Sequence, residues 1–204
     1  MDAGLLNTHS GSVDTLGPMR RLAYFAFAIC AVSYAAQTTI PTPPADPLSP
    51  LDFLLGTWSA KTDTAASTAG AEGTGTYTFR RDLNGHALVR SSSADACKGP
   101  ANFNCNHHDQ LIIFADPNAM AMHKSSLLAL YLDTEGHVIY YTIFTPDPHT
   151  VVFNSQSLPS LPRFRLIYHL EGDGPRAIMS GKFQTAAPGS DDFHSYLEWS
   201  GARP

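Results

Sequence analysis

The sequence predicts an all-β fold, a single up-and-down antiparallel β-barrel of about ten strands entered by one short helical turn. Three observations carry this. From Thr57 onward, strand-like runs recur at spacings of roughly 10–16 residues, each bounded by Gly, Pro, Asn or Asp. Helical periodicity is confined to the stretch around Leu51–Leu55. No internal repeat and no strand–helix–strand rhythm interrupts the series. Ten twisted strands do not stay a flat open sheet, and closure removes the exposed edges. Closure pairs the first strand with the last and brings Trp58 towards Trp199.

The elements follow in order. Ser49-Pro50-Leu51-Asp52-Phe53-Leu54-Leu55 reads as a helical turn with Ser49 as its cap and Pro50 in its first turn. It breaks at Gly56 into a strand over Thr57–Thr62. Gly73–Leu83 alternates small or polar residues with Tyr77 and Phe79, the mark of a half-buried strand. Asn84-Gly85 predicts a type I′ hairpin turn, and His86–Ala94 returns as the partner strand. His107–Phe114, Leu127–Leu132 and His137–Thr145 follow, the last two joined by the turn Asp133–Gly136. A polar, Met-bearing loop over Asp116–Ser126 precedes Leu127. Thr150–Gln156, Arg163–Leu170, Arg176–Thr185 and Phe193–Ser200 complete the series.

Three regions organise the 204 residues. Residues 1–36 read as a leader. Arg20-Arg21 precede an apolar run of about a dozen residues, and Ser33-Tyr34-Ala35 supplies small residues where a signal peptidase needs them. The run is too short to cross a bilayer core of about 30 Å, so no stable membrane anchor is expected after cleavage. Met19 directly precedes Arg20, so residues 1–18 are either an upstream extension of the start or a long leading segment. Ile29 before Cys30 is not the small residue that lipidation requires. Residues 37–49 form a proline-rich, extended spacer, and residues 50–204 form the barrel. The expected location is periplasmic or secreted.

Only 15% of residues are charged and the net charge is -5. With no basic block, nucleic acid is not expected as a partner. Once the leader is cut, Cys97 and Cys105 remain, and an even pair in an exported chain reads as a disulfide. Closing so short a loop stabilises by at most about 2–3 kcal/mol. The alternative is a metal site of Cys97, Cys105, His107 and His108, although the spacing is not that of a zinc finger.

The short turn, Gly56-Thr57-Trp58 and the meander together resemble the calycin superfamily of lipocalin-like barrels. The strand Gly-Thr-Tyr-Thr-Phe-Arg-Arg, His107-His108-Asp109, Gly136–Tyr140 and Tyr196-Leu197-Glu198-Trp199 resemble a group of bacterial lipocalin-like domain proteins of unknown function. The resemblance covers roughly residues 50–203 and its motifs bear on fold rather than catalysis. It implies a small apolar or amphipathic ligand in the barrel interior. Gly-x-Trp also occurs in nitrobindin-like haem proteins, but Ser59-Ala60-Lys61 replace the further glycines found there.

Interior positions alternate along each barrel strand, so candidate ligand contacts are Trp58, Arg90, His107, His108, Tyr131 and Tyr140. One of His107 and His108 faces inward. There it either holds a ligand or acts as acid/base with a neighbouring carboxylate, or it is a rim residue tied to the cysteine loop. An inward arginine among Arg80, Arg81 and Arg90 binds a ligand carboxylate, or stacks on Trp58 at the barrel bottom. Tyr131, Tyr140, Tyr141, Phe144 and Tyr168 line a cavity or pack as ordinary core. No phosphate loop, nucleophile elbow, metal helix or spaced carboxylate pair is present. No catalytic residue and no cofactor is therefore assigned. The leading reading is a small-molecule binder. The alternatives are a haem barrel with His107 or His108 as axial ligand, an enzyme with a His/Asp/Arg site, and a filled-core structural module.

Overall fold

The computed structural model describes residues 46–118 and 126–204. The leader, most of the spacer and part of the Met-bearing loop lie outside the described residues.

Ten antiparallel strands form one closed barrel: β1 (Gly56–Thr62), β2 (Glu72–Asp82), β3 (Ala87–Lys98), β4 (His108–Ala115), β5 (Leu127–Asp133), β6 (Val138–Asp147), β7 (Thr150–Ser155), β8 (Arg163–Glu171), β9 (Ile178–Ala186) and β10 (His194–Ala202). Each strand pairs with its sequence neighbours. The seam between β1 and β10 closes the ring, with Lys61 opposite Ser200 and Thr62 opposite Trp199. Among the described residues no helix is long and apolar enough to cross a membrane.

One end of the barrel is packed solid. A 3-10 helix at Ser49–Leu54 plugs it, burying Leu51 and Leu54 together with the preceding Leu48. The cap is not Ser49, which lies inside the helix. Leu48 holds that position, and Asp46 Oδ1 accepts its N–H at 2.9 Å while Ser49 Oγ donates to the Asp46 carbonyl at 2.8 Å. Gly56 breaks the helix at φ +112, and a Cβ there would stand 2.5 Å from Arg203 Nη1. Arg203 lies over the Trp58 ring, 4.3 Å from its centroid. The arginine stacked on Trp58 is thus the one after β10, not one from the β2–β3 hairpin. Arg81 instead ties that hairpin to the helix through Asp46 (3.0 Å) and Asp52 (2.5 Å).

Above the plug, inward residues interlock. Phe79 and Tyr168 meet edge-on at 5.2 Å, and Tyr141 and Tyr168 each meet Phe153 the same way. Leu88, Leu111, Ile113, Ile143 and Met179 fill the gaps. Each such side chain, taken fully from water, stabilises by about 1.5–3 kcal/mol.

The β2–β3 turn is wider than the two residues expected. The strands end at Asp82 and resume at Ala87, and Leu83, Asn84 and Gly85 all take positive φ (48, 56 and 90). Asp82 Oδ1 accepts the Leu83 N–H at 2.7 Å and steadies this course. Cys97 and Cys105 form a disulfide with Cα atoms 5.5 Å apart, fastening the loop beyond the end of β3.

Candidate functional site

The opposite end of the barrel is hollow. Several of its inward positions are small or polar, including Thr62, Gly73, Gly75 and Ser92, and leave room in the lumen. The space left is a cavity of about 500 Å3 that opens beside the disulfide loop.

The cavity has two unlike walls. On β8, β9 and β10 it is apolar, formed by Phe164, Leu166, Phe183, Leu197 and Trp199. Phe164 and Phe183 stack with centroids 5.8 Å apart. Trp199 lies flat over Gly181, where a Cβ would come within 2.2 Å of the indole. Glycine at that position is what lets the ring form part of the wall.

On β3 to β6 the wall is polar. The β3–β4 register sets Ser92 opposite Asp109, so Arg90 reaches the Asp109 carboxylate diagonally. Arg90 donates to Asp109 Oδ1 and to Tyr168 Oη, and both charged side chains are buried. Burial works against each charge, but their attraction outweighs it. The Arg90 guanidinium holds the Asp109 carboxyl well below the usual carboxylate range, and Asp109 in turn raises the pKa of Arg90.

His107 stands just outside β4 at the cavity rim. Its Nε2 is 3.0 Å from Tyr131 Oη and 3.6 Å from Asp109 Oδ2, and its Nδ1 is 3.4 Å from Glu135 Oε1. Contact with Asp109 raises its pKa, burial opposes this, and Glu135 adds to the rise. Asp133, with a side chain only 2% exposed, accepts the backbone N–H groups of Glu135 and His137, both at 2.9 Å. His137 Nδ1 lies 2.8 Å from its other oxygen. Burial raises the Asp133 carboxyl, but these partners bring it below its ordinary value. Burial also pushes the Tyr77, Tyr131, Tyr141 and Tyr168 hydroxyls up, so all four stay protonated.

Three polar atoms at the cavity floor are left over. Arg90 Nε, Tyr77 Oη and Tyr141 Oη are buried without a hydrogen-bond partner. Tyr77 Oη has the Trp199 indole beside it, but in no aligned bond. Unmet buried polar groups call for an explanation.

The six candidates divide evenly. Arg90, His107 and Tyr131 line the cavity. Trp58 does not: it is buried in the packed end, where its Nε1 donates to the Leu54 carbonyl at 2.9 Å. His108 is on the outer face, so of the histidine pair it is His107 that turns inward. Tyr140 also points outward, 58% exposed, while its neighbour Tyr141 lies inside. Sequence reasoning assigned no site role to Tyr77, Asp133, Glu135, Phe164, Phe183 or Trp199. The signal for most of them was parity, since Phe164 shares its strand face with Leu166 and Tyr168, and Tyr77 shares its face with Phe79.

Chemically, the arrangement offers a protonatable imidazole at the rim, hydrogen-bond donors at the floor and an apolar wall. Among the described residues no three His, Cys, Asp or Glu side chains gather as metal ligands. No family model and no curated protein matches this chain.

Proposed function

We propose that this chain is an exported, lipocalin-like barrel that binds a small amphipathic molecule in the hollow end. The observation that supports it is the cavity's division into an aromatic wall and a polar wall. A volume of about 500 Å3 suits a small organic molecule, for which pockets run roughly 300–1,000 Å3. The ligand's chain lies on Phe164, Phe183 and Trp199, and its polar end lies towards Arg90, Tyr131 and His107. Export is supported by the Cys97–Cys105 disulfide, a bond that persists in oxidising compartments.

Native mass spectrometry of protein isolated without denaturant tests the reading. A small-molecule adduct lost on unfolding, or regained when the stripped protein meets a set of amphiphiles, supports it. A bare mass under both conditions contradicts it. For export, the expected mature chain lacks residues 1–36 and is oxidised. A cytosolic full-length chain with free thiols would contradict that part.

A further inference from the structure

The floor of the cavity specifies which end of a ligand it receives. We infer that the bound molecule presents an uncharged hydrogen-bond acceptor, the carbonyl of a ketone, ester or amide, and that the site discriminates against carboxylates and amines. This rests on the binding function proposed above.

The donors come first. Arg90, Tyr77 and Tyr141 are 5%, 3% and 1% exposed, and each keeps one unpartnered polar atom at the floor. Arg90 Nε–H can only donate, and the two phenols are protonated and free to donate. All three residues line the same cavity. Unmet donors in the lining of one cavity fit an oxygen with two lone pairs.

The acceptors nearby are already used. Asp109 serves Arg90 and faces His107, and Asp133 serves two backbone N–H groups and His137. An ammonium at the floor therefore finds no open carboxylate to pair with. A carboxylate fares no better. Among the described lining residues Arg90 is the one Arg or Lys, and it is neutralised by Asp109, whereas Glu72, Asp133 and Glu135 also line the cavity. His107, whose pKa is raised by its contact with Asp109, offsets part of that negative charge when protonated, so the repulsion is greatest once it has lost its proton. An uncharged carbonyl gains the donors without either penalty.

The test uses the full chain carrying Trp58→Phe, which leaves Trp199 in the cavity wall as the remaining tryptophan. Its fluorescence is titrated at pH 8 with methyl dodecyl ketone, dodecanoate and dodecylamine, each kept below micelle formation. The ketone is expected to bind about tenfold or more tightly than either charged analogue, since a floor built for hydrogen bonding penalises a mismatched partner. Adding Tyr141→Phe is expected to erase most of that preference while leaving the melting temperature close to the parent's. Equal or tighter binding of dodecanoate or dodecylamine overturns the inference and leaves the binding function standing. Ketone binding indifferent to Tyr141→Phe and to Tyr77→Phe also overturns it, because the head group then lies elsewhere. If none of the three binds, by fluorescence and by native mass spectrometry, the binding function itself fails.

Discussion

The two ends of this barrel are built by the same ten strands and the same inward–outward alternation, yet one is solid and the other hollow. At the packed end the inward side chains are Trp58, Phe79, Leu88, Ile113 and Met179, and a 3-10 helix inserts Leu48, Leu51 and Leu54 as a plug. At the open end the inward positions include Gly73, Gly75, Ser92 and Asp133, and among the described residues no side chain fills the lumen. Between them lies the Arg90–Asp109 pair, buried like core but charged like a site. Close packing is concentrated away from the cavity, so the hollow end is free to carry polar groups that a filled core would not tolerate.

That division is broken most forcefully by mutation at either side of the boundary. Trp58→Ala removes the central packed side chain and its bond to Leu54, and urea unfolding is expected to show a loss of about 3–5 kcal/mol. Asp109→Leu leaves Arg90 buried without a counter-ion, with a comparable loss of about 3–5 kcal/mol. Adding Arg90→Met to that variant is expected to recover most of it. If Asp109→Leu alone costs no more than the double variant, the pair is not a coupled buried unit.

Smaller effects sharpen the contrast. Removing the disulfide by Cys97→Ser with Cys105→Ser is expected to cost about 2–3 kcal/mol in the same assay, with no change in the packed-end aromatic signal. Phe183→Ala, in the half-buried wall, is expected to cost about 1–2 kcal/mol, less than the Trp58 value, while weakening ligand binding. A Phe183→Ala loss as large as that of Trp58→Ala would mean the open end is core after all.

The smallest expected effect is on pH dependence. Contact with Asp109 and Glu135 raises the His107 pKa above its ordinary 6.5. Its stabilising contribution is therefore complete below that value and fades as the pH rises through the raised one. Asp109 behaves oppositely. Its pKa is lowered, so its contribution is present above the ordinary carboxylate value and is lost only in strong acid. Melting temperature followed from about pH 6 to pH 8 should fall slightly, and His107→Gln should flatten that slope.

Much of the fold was legible because turn chemistry and strand spacing survive any choice of partner. The ten strands, the helical turn before Gly56 and the cysteine pair needed no tertiary information. The Asn84-Gly85 turn was placed too tightly, since Leu83 also adopts a left-handed course, which its side chain gives no reason to expect. The site was less legible. On β6, Val138, Tyr140 and Phe144 face out while Ile139, Tyr141 and Ile143 face in, and both faces are apolar. Hydrophobicity alone therefore does not choose Tyr141 over Tyr140. Trp58 looked like a ligand contact because large aromatics serve equally well as floor and as core. Only the plug helix, which lies against it, decides between them. Arg90 and His107 were legible because a charged side chain on an inward position has few uses. Their partners Asp109 and Glu135 depend on inter-strand register and turn geometry, which no local pattern encodes.

The central claim is that a ligand cavity exists at one end and solid packing at the other. It is tested most directly with two single-tryptophan proteins, Trp58→Phe reporting Trp199 and Trp199→Phe reporting Trp58, titrated with methyl dodecyl ketone. The account predicts a saturable change at Trp199 with stoichiometric uptake and a silent Trp58. A response at Trp58, or saturable uptake that leaves Trp199 unchanged, would contradict it.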